Sequence, residues 1–330
     1  MRLACAGGGN LHRRLGIVSS DNATSIKTDM IEGAMLEHLN RDSVNPARVV
    51  ILGARGFVGG AAERLLRSRG VPVLSLGRVE IDLLSADAHE GLIRQLRPDD
   101  SVVVISARAP VKDPAMLVEN IRMMEAVCKA LAAVPVSHVV YISSDAVYRD
   151  SKQPLTEQSC AEPGSLHGAM HLAREVMLKA IVSAPLAILR PSLLYGVDDP
   201  HNGYGPNRFR RLAAAGQEIV LFGEGEERRD HVLIEDVAEL IWRVLARRSR
   251  GTLNVATGEV MSFREIAERI AAMATVPVPI RGSARSGPMP HDGYRPFDAA
   301  GCRAAFPDFR YVGLAEGLKK VGLAATAPRH

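Results

Sequence analysis

The chain has 330 residues, 47% hydrophobic and 24% charged, with a net charge of +4, enough to bury a large core as one domain or as two that share elements. Its basic residues are dispersed, without a Lys/Arg block among aromatics, which argues against a nucleic-acid partner. No apolar run reaches membrane-spanning length and no secretory signal is evident. The cysteines (Cys5, Cys128, Cys160 and Cys302) are far apart and form no C-x-x-C, so neither a metal site nor a disulfide framework is expected, and a reducing, cytoplasmic compartment fits.

Residues 1–47 are rich in Gly, Ser, Asn and Asp and are expected to be a poorly ordered extension, apart from an amphipathic helical piece at Met30–Leu39. From residue 48 strands and helices alternate. Val49–Leu52 reads as a buried strand and Ala61–Arg69 as a helix, joined by Gly53-Ala54-Arg55-Gly56-Phe57-Val58-Gly59. Strand, glycine turn and helix N-terminus in that order suit a dinucleotide: glycines allow close backbone approach and the helix offers free N–H groups to a pyrophosphate. In a chain with 29 glycines the pattern alone is weak, and a plain turn is the competing reading.

Strands follow at Val71–Leu76, Ser101–Ile105, His138–Ile142 and Leu186–Leu189, with helices at Ala88–Leu96, Pro114–Ala133 and Leu166–Ser183. Short apolar strands alternating with helices predict an α/β, Rossmann-type doubly wound parallel sheet over residues 48–195, with ligands at the carboxyl ends of the strands. Residues 196–330 mostly form a smaller C-terminal substrate-binding subdomain, although a helix at 236–247 and a strand at 252–256 return to the sheet. Ser262 and Glu265 stand at capping-box spacing before a helix at Phe263–Met273, and 277–296 reads as a loop over a site.

Five segments now carry a resemblance: Val50–Gly59, Tyr141–Tyr148 (Y-I-S-S-D-A-V-Y), Leu189–Gly196 (L-R-P-S-L-L-Y-G), Arg229–Ala238 (R-D-H-V-L-I-E-D-V-A) and Leu253–Gly258 (L-N-V-A-T-G). In this order they resemble the extended short-chain dehydrogenases/reductases of the NAD(P)-dependent epimerase/dehydratase family, which modify nucleotide sugars. The resemblance spans about residues 48–322. It implies cofactor contacts at Gly53, Arg55, Gly56, Phe57, Val58, Gly59, Arg78, Asp82, Leu83, Ala107, Arg108, Ala109, His171 and Pro191. Gly77-Arg78 puts a basic residue where an NAD site carries a carboxylate, and with Arg55 this favours NADP, NAD remaining open.

The same resemblance implies a Ser/Thr, a Tyr and a Lys in catalysis. Ser144 fits the first. The Tyr and Lys positions hold His167 and His171, four apart on one helix face. A neutral imidazole exchanges a proton near pH 7, so His167 can replace a tyrosine, whereas His171 brings no fixed charge. Tyr148-x-x-x-Lys152 mimics the motif but falls in a loop containing Pro154. Asn207, Arg229 and Arg295 are implied on the substrate side, arginine forks suiting phosphate. Two functions stay open: an epimerase, dehydratase or reductase, or a catalytically impaired NAD(P)-binding accessory subunit. The helices at 114–133 and 166–183 resemble a pair that forms homodimers.

Overall fold

The computed structural model describes residues 36–323. Val49, Val50 and Ile51 bury both faces of their strand, as do Val102, Val103 and Val104. Such a strand must sit inside a parallel sheet covered on both sides. In chain order the elements are β1 (Glu37–His38), β2 (Arg48–Leu52), α1 (Phe57–Ser68), β3 (Val73–Leu76), α2 (Ala88–Gln95), β4 (Asp100–Val104), α3 (Pro114–Ala133), β5 (His138–Ile142), α4 (Leu166–Ile181), β6 (Leu186–Pro191), β7 (Leu193–Tyr195) and α5 (Pro206–Ala214). There follow β8 (Ile219–Phe222), β9 (Arg228–Leu233), α6 (Ile234–Ala246), β10 (Ser249–Val255), β11 (Val260–Ser262), α7 (Phe263–Ala271), β12 (Ile280–Ser283), β13 (Tyr294–Arg295), α8 (Ala300–Ala305) and α9 (Leu314–Val321).

The main sheet runs β1-β10-β6-β5-β4-β2-β3, all parallel except β1. From β2 the chain goes to one side for β3 and to the other for β4, so the strand order reverses there. Crossovers leaving in opposite directions open a crevice at the carboxyl ends of β2 and β4. Helices α1 and α6 cover one face, and α2, α3 and α4 the other, each sealing its own apolar cluster. The fold class expected from the alternating pattern is the one observed.

A third cluster, with Phe209, Leu221, Phe263 and Leu318, unites α5, α7 and α9 with two small sheets, one of order β11-β9-β13 with β7 also paired to β9, and the other β8-β12. Asp230 of β9 ties this layer to the main sheet by accepting from Ser192 Oγ (2.7 Å), Thr257 Oγ1 (2.8 Å) and Gly258 N (2.8 Å).

Three expectations change. Helix α1 starts at Phe57, not Ala61, because Gly59 and Gly60 lie inside its first turns. Residues 36–47 are tied down rather than loose. Glu37–His38 is an edge strand on β10, and His38 bonds Ser249 Oγ and Ala305 O, each at 2.8 Å. The helical piece expected at 30–39 is therefore not helical at 37–38, and residues 30–35 lie outside the described residues. The stretch 277–296 contains β12 and β13, both paired to strands of the second layer.

Candidate active site

At the end of β2, Gly53 turns with φ +95°, and a Cβ there would lie 2.7 Å from Ser106 N. A Cβ on Gly59 would lie 2.2 Å from Gly53 O, so only glycine lets α1 sit this close to the turn. Gly56 caps α1 without a side-chain bond, and no acidic residue occupies the first turn. The positive helix end therefore faces the crevice uncompensated, which suits a diphosphate. Past β4, Asn120 of α3 pins the next loop through Arg108 N (2.9 Å) and Arg108 O (3.0 Å).

These segments line a cavity of about 710 Å³ that continues past the end of β5 into the second layer. Its floor is set by two caps. Ser144 Oγ accepts from Ala146 N (3.1 Å) in a short 3₁₀ turn, and Ser165 Oγ accepts from Gly168 N (3.1 Å) at the start of α4. Gly168 lets the two meet, since a Cβ on it would strike Ala146 O at 2.0 Å. Ser144, His167 and His171 thus line one cavity with the glycine turn.

The two imidazoles stand edge to face, 4.8 Å between centroids. His171 is buried, with Nδ1 2.8 Å from the Tyr141 hydroxyl. Burial, then His167 and Arg174, hold it well below the usual histidine pKa. His167 Nδ1 is buried without a hydrogen-bond partner among the described residues. Burial lowers its pKa too, with Asp145 opposing. Both rings are therefore neutral at pH 7. Burial pushes Tyr141 up to about 12, so it keeps its proton.

Fixed charge lies behind the floor. Arg174, one turn past His171 and fully buried, donates from Nη2 to Ser106 O (2.7 Å). Arg190 grips Glu175 through two bonds of 2.9 and 2.6 Å, and Glu175 accepts from Ser143 Oγ (2.6 Å). Such a buried pair fixes the strand end on which Ser144 stands, since losing one partner would strand a charge.

Not every expected residue reaches the cavity. Gly53, Gly56, Phe57, Val58, Arg78, Asp82, Leu83, Ala107, Arg108, Ala109, Pro191, Asn207 and Arg229 line it. Gly59 does not, being buried in the helix–turn contact. Arg55 is drawn aside by Glu80 (2.7 Å), whose carboxylate also accepts from Gly77 N. Arg295 is 1% exposed and turned inward onto Asp145 and Asp150, so it is no direct substrate contact. Asn207 reaches the wall, but its amide holds Gly196 N (3.0 Å) and Leu194 O (3.2 Å). Arg229 pairs with Glu227 (3.2 Å) and lies 3.8 Å from Asp145. The cavity adds Asp145, His201, Tyr204, His231 and His291. Asp145 and His231 sit inside segments quoted for the resemblance, whereas His201 and His291 carry no local signal.

Among the described residues no cluster of three or more His, Cys, Asp or Glu could hold a metal, and no helix is long and apolar enough to cross a membrane. Residues 49–256 match the NAD dependent epimerase/dehydratase family. The UDP-glucose 4-epimerase of Mycolicibacterium smegmatis is 29% identical over 266 residues, covering 70% of this chain and 83% of that protein. A solved Thermus thermophilus UDP-glucose 4-epimerase complex with NAD superposes with a TM-score of 0.72 at 23% identity, covering 84% of this chain and 97% of that one. A GDP-L-fucose synthetase from Naegleria fowleri bound to NADP gives 0.72 at 17% identity, over 87% and 95%. With the match running from the first buried strand through the end of β10, the chain belongs to the NAD dependent epimerase/dehydratase family.

Proposed function

We propose that this protein is an NAD(P)-dependent enzyme that acts on a nucleotide sugar by moving a hydride at a sugar carbon, as an epimerase, dehydratase or reductase. The observation that carries the reading is one cavity joining the glycine turn of β2 to Ser144, His167 and His171. The turn fits a dinucleotide, because its backbone is open where a Cβ would intrude and its helix end is uncapped. When bound, the nicotinamide supplies hydride exchange.

The chain's own groups supply the rest. N–H groups at Phe57 and Val58 hold the pyrophosphate. Asp82 and Leu83 border the adenine, and Ala107, Arg108, Ala109 and Pro191 shape the channel. Arg78 marks the ribose end and favours NADP, with NAD as the alternative. Ser144 hydrogen-bonds the reacting oxygen of the sugar, and His167 gives or takes its proton in place of a tyrosine. His171 stands in the lysine's position, bonded to Tyr141, while Arg174 behind it provides the fixed positive charge. Arg229 and the layer built on residues 196–233 and 260–295 receive the substrate. A homodimer through α3 and α4 belongs to the reading, supported by the exposed apolar Val118 and Val176 on those helices.

Incubation with NADP(H) or NAD(H) and a panel of UDP-, dTDP- and GDP-sugars tests this. Conversion of a sugar is expected. Tight dinucleotide binding with no product from any sugar would favour the second reading, an accessory subunit, which the neutral His171 in place of a charged lysine supports. In that case His167→Tyr with His171→Lys should create activity. Sedimentation that finds only monomer refutes the dimer.

A further inference from the structure

The late loop delivers a histidine that the reaction described above does not use. His291 lines the cavity together with Arg229 and Asp145. Its Nδ1 lies 2.5 Å from Asp150 Oδ1. An ionised carboxylate only accepts, so Nδ1 carries the ring proton. Arg295 fixes the arrangement from beneath. Its Nη1 donates to Asp150 Oδ1 (2.6 Å) and its Nε to Asp145 Oδ2 (2.9 Å), so one buried guanidinium ties both carboxylates. Nη1 also lies 3.0 Å from His291 Nδ1, but the shorter contact to the carboxylate decides the tautomer.

With Nδ1 as donor, Nε2 keeps the lone pair, and it has no hydrogen-bond partner among the described residues. Burial, then Arg229 and Arg295, lower the imidazole's pKa against the opposing pull of Asp150, which keeps the ring neutral at pH 7. The backbone is also unusual. His291 sits at φ 54°, ψ 34°, and Asp292 at φ 49°, ψ 26°. Two successive non-glycine residues in the left-handed region persist only where surrounding contacts over-determine them. The charged groups that act on the ring are Arg229 and Arg295, which oppose its protonation, and Asp150, which favours it. A neutral imidazole whose Nδ1 donates to Asp150 leaves Nε2 as an acceptor, and a hydroxyl is a donor that fits it.

We propose that His291, oriented by Asp150 and Arg295, is a substrate-binding residue whose Nε2 accepts a hydrogen bond from a hydroxyl of the sugar. This rests on the nucleotide-sugar reading and deepens it by naming the late-loop residue that a sugar hydroxyl meets.

Calorimetric binding of UDP-glucose and of UDP, both with NADPH present, tests it. His291→Gly removes the ring and suits the left-handed backbone, so folding is preserved. His291→Gln restores an acceptor near the Nε2 position. About tenfold weaker UDP-glucose binding is expected in His291→Gly, largely recovered in His291→Gln, with UDP binding unchanged. Asp150→Asn should weaken UDP-glucose in the same sense but less. Unchanged UDP-glucose affinity in His291→Gly, or an equal loss for UDP, overturns the proposal. If the unaltered protein binds UDP but not UDP-glucose, the same comparison is made with dTDP-glucose against dTDP. Failure to bind any nucleotide sugar removes the substrate reading itself, and this proposal with it.

Discussion

The cofactor end and the sugar end of the cavity are built on different principles. The first rests on backbone: Gly53, Gly56 and Gly59 fall within seven consecutive residues, and the distances that exclude a Cβ are set inside that segment and by the neighbouring strand. The second rests on side chains from distant parts of the chain. Asp145 follows β5, His167 opens α4, Arg229 lies on β9, and His291 and Arg295 come from the late loop. A backbone cradle has little to titrate and tolerates little added volume. A side-chain network tolerates volume but responds to every proton and every lost charge.

That contrast can be broken from either side. The largest effect is expected for His167→Ala, which should lower turnover by about 10²–10⁴-fold, the usual share of general acid–base catalysis, while NADPH binding followed by fluorescence is unchanged. Equal turnover would remove His167 from the chemistry. Next comes Gly59→Ala. Its Cβ would lie 2.2 Å from Gly53 O, so a loss of about 1–3 kcal/mol in denaturant unfolding and a weaker dinucleotide complex should appear together. A normal affinity would show that the turn can relax.

The pH response should separate the ends further. His167 is held below its ordinary pKa, chiefly by burial, so its neutral form persists to lower pH than a free histidine's. In the direction where His167 accepts the proton, kcat/KM should stay flat down to about pH 6.5, the ordinary histidine value, and fall only below it, while NADPH affinity should not follow that limb. Asp145→Asn should move the limb to still lower pH, because Asp145 opposes the burial effect. The smallest change is expected for Arg78→Ala. Arg78 is exposed and only loosely paired with Asp82 at 3.4 Å, so NADPH should weaken by about tenfold or less and NADH hardly at all.

The same division decides what could be read in advance. The alternating apolar runs specified a doubly wound sheet, because a strand buried on both faces leaves an unbroken hydrophobic signature. Pro114–Ala133 and His138–Ile142 begin and end where the pattern put them, and the Ser262–Glu265 box caps its helix as spaced. These are local facts of propensity, capping and periodicity. The edge strand Glu37–His38 and the short strands β7, β12 and β13 were not legible, since their hydrogen-bond partners are supplied by distant segments.

Charged side chains were the least legible, because an arginine's surroundings determine what it does. Arg55, Arg78, Arg229 and Arg295 look alike in one dimension. The fold pairs Arg55 with Glu80, leaves Arg78 at the rim, sets Arg229 in the wall and buries Arg295 beneath two carboxylates. By itself the sequence determined the sheet, the glycine turn and the His167/His171 pair on one helix face, since each depends on neighbours within a few residues. Only the tertiary structure decided which charges meet and which imidazoles face the cavity, because electrostatic partners are fixed by distance in space and not along the chain.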